Sequence, residues 1–247
     1  MHANSLAGSL LSFLLVGARV AAVFAFVPFA GWKAAAEPAR IVLVVGLTVC
    51  LWPVSPVLAG PVSGLGQLAG WVAREATIGL GIGLATAFVL ESFALGAQLI
   101  GAQAGYSYAS TVDPTSQADS GILQVLSQLM ASLLFLSLGL DRYLIGALAR
   151  SYRQDFEQLT LRPESLIGAG ADMWQVAFRL ALPVVAFLVL LDVALALVGR
   201  VNAHLQLLSV AFPAKMLAAL AVMAAAAPAY PSLFRWQAER FAALLAR

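Results

Sequence analysis

Apolar residues in this chain come in long runs separated by short polar connections. Six runs approach or exceed the roughly 20 apolar residues a helix needs to cross a hydrocarbon core. They are Leu6 to Trp32, Ile41 to Ala59, Ala76 to Gly101, Gly121 to Leu140, Trp174 to Gly199 and Leu205 to Pro228. A transmembrane strand would show about 9–11 residues of alternating polarity, and no such alternation is present. In lipid a helix satisfies its own backbone hydrogen bonds, so runs of this length must be helical. The pattern predicts an all-α, polytopic membrane protein of about six long apolar helices.

The connections divide the chain further. Lys33 to Arg40 is a short polar corner ending in Glu37-Pro38 and Ala39-Arg40. Pro53, Pro56 and Pro61, with Gly60, Gly64 and Gly66, break the chain after the second run. Gly105 to Ser120 is a polar insert between two apolar helices, in which Asp113-Pro114 disfavours helix and suits a turn. Asp119 or Ser120 is placed to cap the helix that follows. Asp141 to Asp172 is the one long charged stretch and reads as an aqueous, partly helical segment with Pro163 as a break. If all six runs cross, both termini share a side with this Arg-rich segment, and the tail adds Arg235, Arg240 and Arg247. The positive-inside rule then assigns that side to the cytoplasm.

Composition narrows the class. Of 247 residues, 62% are hydrophobic and 11% charged, against about 45–50% and 25% in soluble domains, so the chain lacks the polar surface a soluble fold needs. Net charge is +2, with no dense basic block, which argues against nucleic acid as a partner. Cys50 is the single cysteine and excludes an internal disulfide. The first run is longer than the about 7–15 residues of a signal h-region, so it is expected to be retained.

Five charges fall within the runs, and four of them lie well inside: Arg19, Glu91, Asp192 and Lys215. A charge at the bilayer centre costs about 2.5–3.5 kcal/mol on insertion scales, so none should face lipid. One reading makes them a polar pathway or partner contacts; the other makes them internal ion pairs, such as Arg19 with Glu91 or Asp192. Arg179 and Arg200 lie near run ends and suit snorkelling. Trp32, Trp52, Trp71, Trp174 and Trp236 also lie near run ends, as interfacial belts do. Glycines concentrate in the third run, where Gly101 and Gly105 have the small-xxx-small spacing of close helix approach. Gly79-Leu-Gly-Ile-Gly lacks the strand context of a dinucleotide site. With His2 and His204 the only histidines, and no nucleophile elbow or Walker lysine, neither enzyme chemistry nor a cofactor or metal site is expected.

The middle of the chain carries Ile100-Gly101-x-Gln103-x-Gly105, then Ser107-x-Ala109 and Asp113-Pro114. This order resembles the FliR family of flagellar type III export proteins. It continues through Leu133 to Leu136 before Gly139, Ala181-Leu182-Pro183, Leu195 to Arg200, Leu205 and Ala211-Phe212-Pro213, and more loosely through Pro28, Pro38, Arg40 and Pro53. Gln98, Asp141, Asp192, Ala203-His204 and Ala211 depart from the family pattern. The resemblance implies one membrane domain over residues 1–247, built of bent helical hairpins, in the bacterial inner membrane at the flagellar basal body. It implies FliP-like and FliQ-like partner subunits, other export apparatus proteins, and a gate through which unfolded protein substrates pass. It also assigns the polar insert, with Gly105, Tyr106, Tyr108, Asp113 and Pro114, to a loop that plugs the closed channel. Arg19, Glu91, Asp192 and Lys215 would then be buried polar or partner contacts. The alternative is a permease for a small molecule or ion that uses Glu91 and Asp192 as coupling carboxylates.

Overall fold

A computed structural model describes residues 2–27, 37–54, 64–106, 122–152, 163–201 and 207–246. Among them the elements are helical: α1 His2–Phe26, α2 Glu37–Leu51, α3 Leu65–Ala104, α4 Ile122–Ser137, α5 Leu140–Ser151, α6 Pro163–Val201, α7 Leu207–Ala226 and α8 Tyr230–Ala246. Short 3-10 turns follow α2 at Trp52–Val54 and α7 at Ala227–Ala229. Four stretches are long and apolar enough to cross a membrane: Gly8–Phe26, Leu65–Ala104, Glu164–Arg200 and Ala211–Leu244. The pair α4 and α5 makes a fifth, bent by 68°. The chain is therefore an all-α membrane protein, with four or five candidate spans among the described residues where the runs suggest about six.

The differences have local causes. The second run yields only 15 helical residues in α2, about 22 Å of helix, before Trp52 and Pro53 tighten the chain into its 3-10 turn. Helix α3 has 40 residues and starts at Leu65, well before the apolar run at Ala76, so Arg74 and Glu75 lie within a helix. Helix α6 starts at Pro163. Proline at the first helical position has no intrahelical N–H to lose and its φ is already helical, so it begins a helix where it would break one elsewhere. Much of the charged 141–172 segment is accordingly helical, in α5 and the first turns of α6. Gly139 makes the α4–α5 bend: its φ is +69°, its N–H donates to Leu136 O at 3.0 Å, and its carbonyl accepts from Arg142 N–H at 3.1 Å. A side chain there would pay the left-handed steric cost.

The chain groups into two compact units, and the division falls within α3 between Val89 and Leu90. The first comprises Met1–Val89, Phe135–Gly170 and Ala238–Arg247; the second Leu90–Leu134 and Ala171–Gln237. In the first, α1 and α3 meet with almost no side chain between them. A Cβ on Gly83 would lie 2.5 Å from Val23 O, and one on Gly79 would collide with Arg19 O. Glycine four residues apart on one face permits this backbone approach, and membrane helices use it for dispersion contact that lipid cannot supply. Gly101, by contrast, would meet only ordinary van der Waals neighbours. Val16, Val20 and Val23 of α1 and Ile78, Ile82 and Ala85 of α3 are buried around the seam. Helix α2 is fastened at its end, where Trp52 Nε1 donates to Ser12 Oγ at 3.0 Å and its ring meets Phe13 edge-on at 5.8 Å.

In the second unit, Phe93 of α3 packs against Phe234 at 5.3 Å and Tyr230 at 6.1 Å between ring centroids. One turn of α3 away from this cluster, Gly96 admits Leu180 and the carbonyl of Ala177. Ser92 and Gln237 are both buried, and the Ser92 hydroxyl donates to Gln237 Oε1 at 2.8 Å. The inward stripe of α6 reads Val176, Leu180, Val184 and Leu188, while Leu182, Phe187, Leu190, Val193 and Leu197 are exposed.

The seam gives a direct test. Gly79→Val should lower stability by about 1–3 kcal/mol, the usual penalty for overpacking. Gly70→Ala, on the same helix with open space around it, should be neutral or slightly stabilising. Thermal unfolding of both variants in detergent compares them; equal melting temperatures would mean that the close approach is not structural.

Candidate functional site

Two polar nodes tie the helices, one in each unit. The first centres on Arg19, 4% exposed in the middle of α1. Its Nε donates to Glu75 Oε2 at 2.7 Å, and Nη2 reaches the same oxygen at 2.6 Å. Its Nη1 donates to both Ser151 O and Ser151 Oγ, at 2.6 and 2.8 Å. The guanidinium lies over the Tyr152 ring, 4.2 Å from the centroid, and the Tyr152 hydroxyl donates to Val16 O at 3.2 Å.

The partner of Arg19 is Glu75, and neither Glu91 nor Asp192 as the run boundaries suggested. Glu75 precedes the apolar run and reads as part of a polar flank; only the longer α3 brings it opposite Arg19. Ser151 and Tyr152 lie in the segment read as aqueous. No motif marks either residue. The usable signal is the intramembrane arginine itself, which must find acceptors somewhere.

The second node centres on Asp192 of α6. Lys215 Nζ of α7 reaches its Oδ1 at 2.9 Å and its Oδ2 at 3.0 Å, and Gln103 Nε2 of α3 donates to Oδ2 at 3.1 Å. The Lys215 side chain is 14% exposed and that of Asp192 40%, so this pair is wetter and weaker than the Arg19 node. Glu91 is partly buried on α3.

The Asp192 node stands at the root of the polar insert. Helix α3 ends with Gly105 at φ +86° and Tyr106 N–H donating to Gly101 O at 3.0 Å. This is the six-to-one closing bond of a left-handed helix cap. A Cβ on Gly105 would lie 2.9 Å from Phe212 Cδ1 of α7. The Tyr106 hydroxyl donates to Met216 O at 3.1 Å, also on α7. The start of the insert therefore meets α7 through the fit of Gly105 to Phe212 and the Tyr106 hydroxyl, beside the Gln103 hydrogen bond to Asp192 of α6. Residues 107–121 lie outside the described residues, and with them Tyr108, Asp113 and Pro114. The Ile100-to-Gly105 motif and Ala211-Phe212-Pro213, separate in sequence, meet at the contact between Gly105 and Phe212.

Neither node offers a nucleophile beside a base, and among the described residues there is no group of three or more His, Cys, Asp or Glu that could hold a metal. Each node joins side chains of different helices. The fold defines a membrane-embedded helical protein. The chain belongs to the bacterial export proteins, family 1, whose sequence model matches residues 10–241. It is similar to the flagellar biosynthetic protein FliR of Escherichia coli (strain K12), 27% identical over 219 residues, covering 85% of this chain and 82% of that one. It is also similar to the proteins of the same name from Caulobacter vibrioides, 27% over 216 residues with 85% and 86% covered, and Bacillus subtilis (strain 168), 27% over 221 residues with 86% and 85% covered. The resemblance to FliR drawn from the 100–114 motif is borne out over most of the chain.

Arg19→Met should cost about 3–5 kcal/mol, because it strands the Glu75 carboxylate among apolar groups. Arg19→Met with Glu75→Met should recover much of that loss, since the paired charges leave together. Detergent melting curves of the two variants decide this; a double variant no better than the single would show that Glu75 is not the stranded group. Gly105→Ala should lower stability by about 1–2 kcal/mol through its left-handed φ, with an added cost against Phe212. An unchanged melting temperature would show that the left-handed cap does not stabilise the helix end.

Proposed function

We propose that this chain is a subunit of the flagellar protein export gate in the bacterial inner membrane, at the base of the flagellum. It acts there with FliP-like and FliQ-like subunits and other export apparatus proteins, as one membrane domain over residues 1–247. Together they form a channel for unfolded flagellar substrates, and this chain contributes no catalysis. The observation that carries the reading is the meeting of the two family motifs at Gly105 and Phe212, in a chain whose FliR relatives align over about 85% of its length.

The physics of the task suits such an arrangement. An unfolded substrate has no single shape, so a gate needs a lined path and a closure in place of a shaped pocket. A polar loop departing from a clamped root supplies a closure: Gly105 and Tyr106 hold the root, and Tyr108, Asp113 and Pro114 belong to the loop itself. Arg19 and Lys215 lie in ion pairs that fix helices, and Glu91 and Asp192 serve as buried polar or partner contacts. The permease alternative requires Asp192 as a titrating coupling group, yet Lys215 and Gln103 already hold that carboxylate.

Two experiments test the proposal. Extraction in mild detergent with FliP-like and FliQ-like proteins co-expressed, followed by mass measurement of the intact complex, should give a hetero-oligomer containing this chain. A functional homo-oligomer of this chain alone would overturn the export-gate reading. Deleting part of Gly105 to Ser120 should then raise ion leakage through the assembled complex without loss of assembly. Unchanged conductance in an intact complex would reject the plug role.

A further inference from the structure

In the second unit, a cleft of about 390 Å³ lies between α6 and the turn joining α7 to α8. Its size falls in the about 300–1,000 Å³ range of small-ligand sites. Leu180, Pro183 and Leu233 supply apolar wall. The polar atoms of Tyr230 and Ser232 are engaged elsewhere, the first donating to Met223 O at 3.2 Å and the second to Ala229 O at 2.7 Å. What remains is Arg179, the one formally charged residue of the lining. Its guanidinium lies 5.0 Å from the centroid of the Trp236 ring, and it makes no ion pair among the described residues.

This combination has a chemical meaning in a membrane protein. A guanidinium stacked on an indole is held in place and oriented, but its charge is not neutralised. Trp174 and Phe178 stack at 5.7 Å on the same helix just before Arg179, and Trp236 follows Arg235 on α8. Tryptophan beside arginine is the composition of the headgroup level. The cleft therefore joins an apolar wall to a cation with no ion pair among the described residues, near the ends of the apolar runs Trp174 to Gly199 and Leu205 to Pro228, and basic sites between membrane helices recruit anionic headgroups. We propose that the cleft binds an anionic phospholipid, its phosphate on Arg179 and part of an acyl chain along Leu180, Pro183 and Leu233. A phospholipid carries the anion and the apolar chain in one molecule, matching both halves of the site. The inference rests on the membrane placement of α6 and α8 and is independent of the export-gate reading.

The test uses the full chain in detergent, with phosphatidylglycerol, phosphatidylcholine or inorganic phosphate added, and retained adducts measured by native mass spectrometry. Phosphatidylglycerol should be retained in preference to phosphatidylcholine. Arg179→Gln should weaken that retention about tenfold, the loss expected for one charge-assisted contact to phosphate. Arg179→Lys should keep most of it, and Arg235→Gln, outside the cleft, should leave it unchanged. Should Arg179→Gln prove unstable, the Arg179→Lys result and the lipid preference of the unaltered chain still decide. Equal retention of the two lipids, an unaffected Arg179→Gln, or full competition by inorganic phosphate would overturn the proposal. So would loss of the adduct on adding the partner subunits, which would make the cleft a protein interface.

Discussion

A guanidinium buried in the middle of an apolar helix sets the terms for the first unit. Arginine is never deprotonated there and carries five donors, so Arg19 can be buried only where acceptors converge on it. Glu75 from α3, Ser151 from the end of α5, and the Tyr152 face provide them. Each brings a constraint on its own element. Glu75 must lie on the helix, which requires α3 to begin well before its apolar run. Ser151 and Tyr152 must reach α1, which they do beyond the bend at Gly139. Gly79 and Gly83 then allow α1 and α3 to close to backbone contact beside the ion pair. Packing and charge satisfaction act on the same seam, and neither is sufficient alone.

The Asp192 node obeys the same rule with a different balance. Its pair is more exposed and its contribution to stability smaller, but its position is specific. It joins α3, α6 and α7 just where α3 ends in a left-handed glycine and the polar insert begins. Tyr106 reaches from that cap to Met216 on α7. A wet ion pair is a poor keystone and a good register mark. It fixes which turn of α6 faces which turn of α7 at modest cost, because its ions keep part of their hydration.

How much of this was legible in the sequence depends on the range of the cause. Run length is a local property imposed by lipid, and it located α1, the centre of α3, α4, α6 and α7. It failed at Glu75 and at Pro163, since a charge at a run's edge, or a proline eleven residues before one, does not mark where the helix begins. The intramembrane charges were all visible, but Arg19 pairs with a residue 56 positions away, and no periodicity encodes that. The Gly105 cap was half legible: its glycine and small-residue spacing stood out, yet its use is a helix end against Phe212 and not a helix crossing. The true crossing glycines, Gly79 and Gly83, stood in the same cluster without anything local to distinguish them.

Helix length also constrains what surrounds this chain. Helix α3, with 40 residues, is about 60 Å long, twice the roughly 30 Å hydrocarbon core. At a tilt of about 40°, the upper end for membrane helices, it would still rise about 46 Å along the normal. Part of α3 must therefore lie beyond hydrocarbon, among headgroups, water or protein. Its most apolar stretch is 72% buried within the chain itself, against 17% for α6 and 22% for Ala211–Leu244. The two outer stretches turn large apolar side chains outward: Leu182, Phe187 and Leu190 on one, Leu217 and Leu220 on the other. The helix that carries the polar groups of both nodes, Glu75 and Gln103, has the most buried apolar window, and the two more exposed stretches present apolar surface that lipid or neighbouring subunits must cover. Polar satisfaction inside and apolar display outside are two consequences of one requirement, that no charge meet hydrocarbon unpaired.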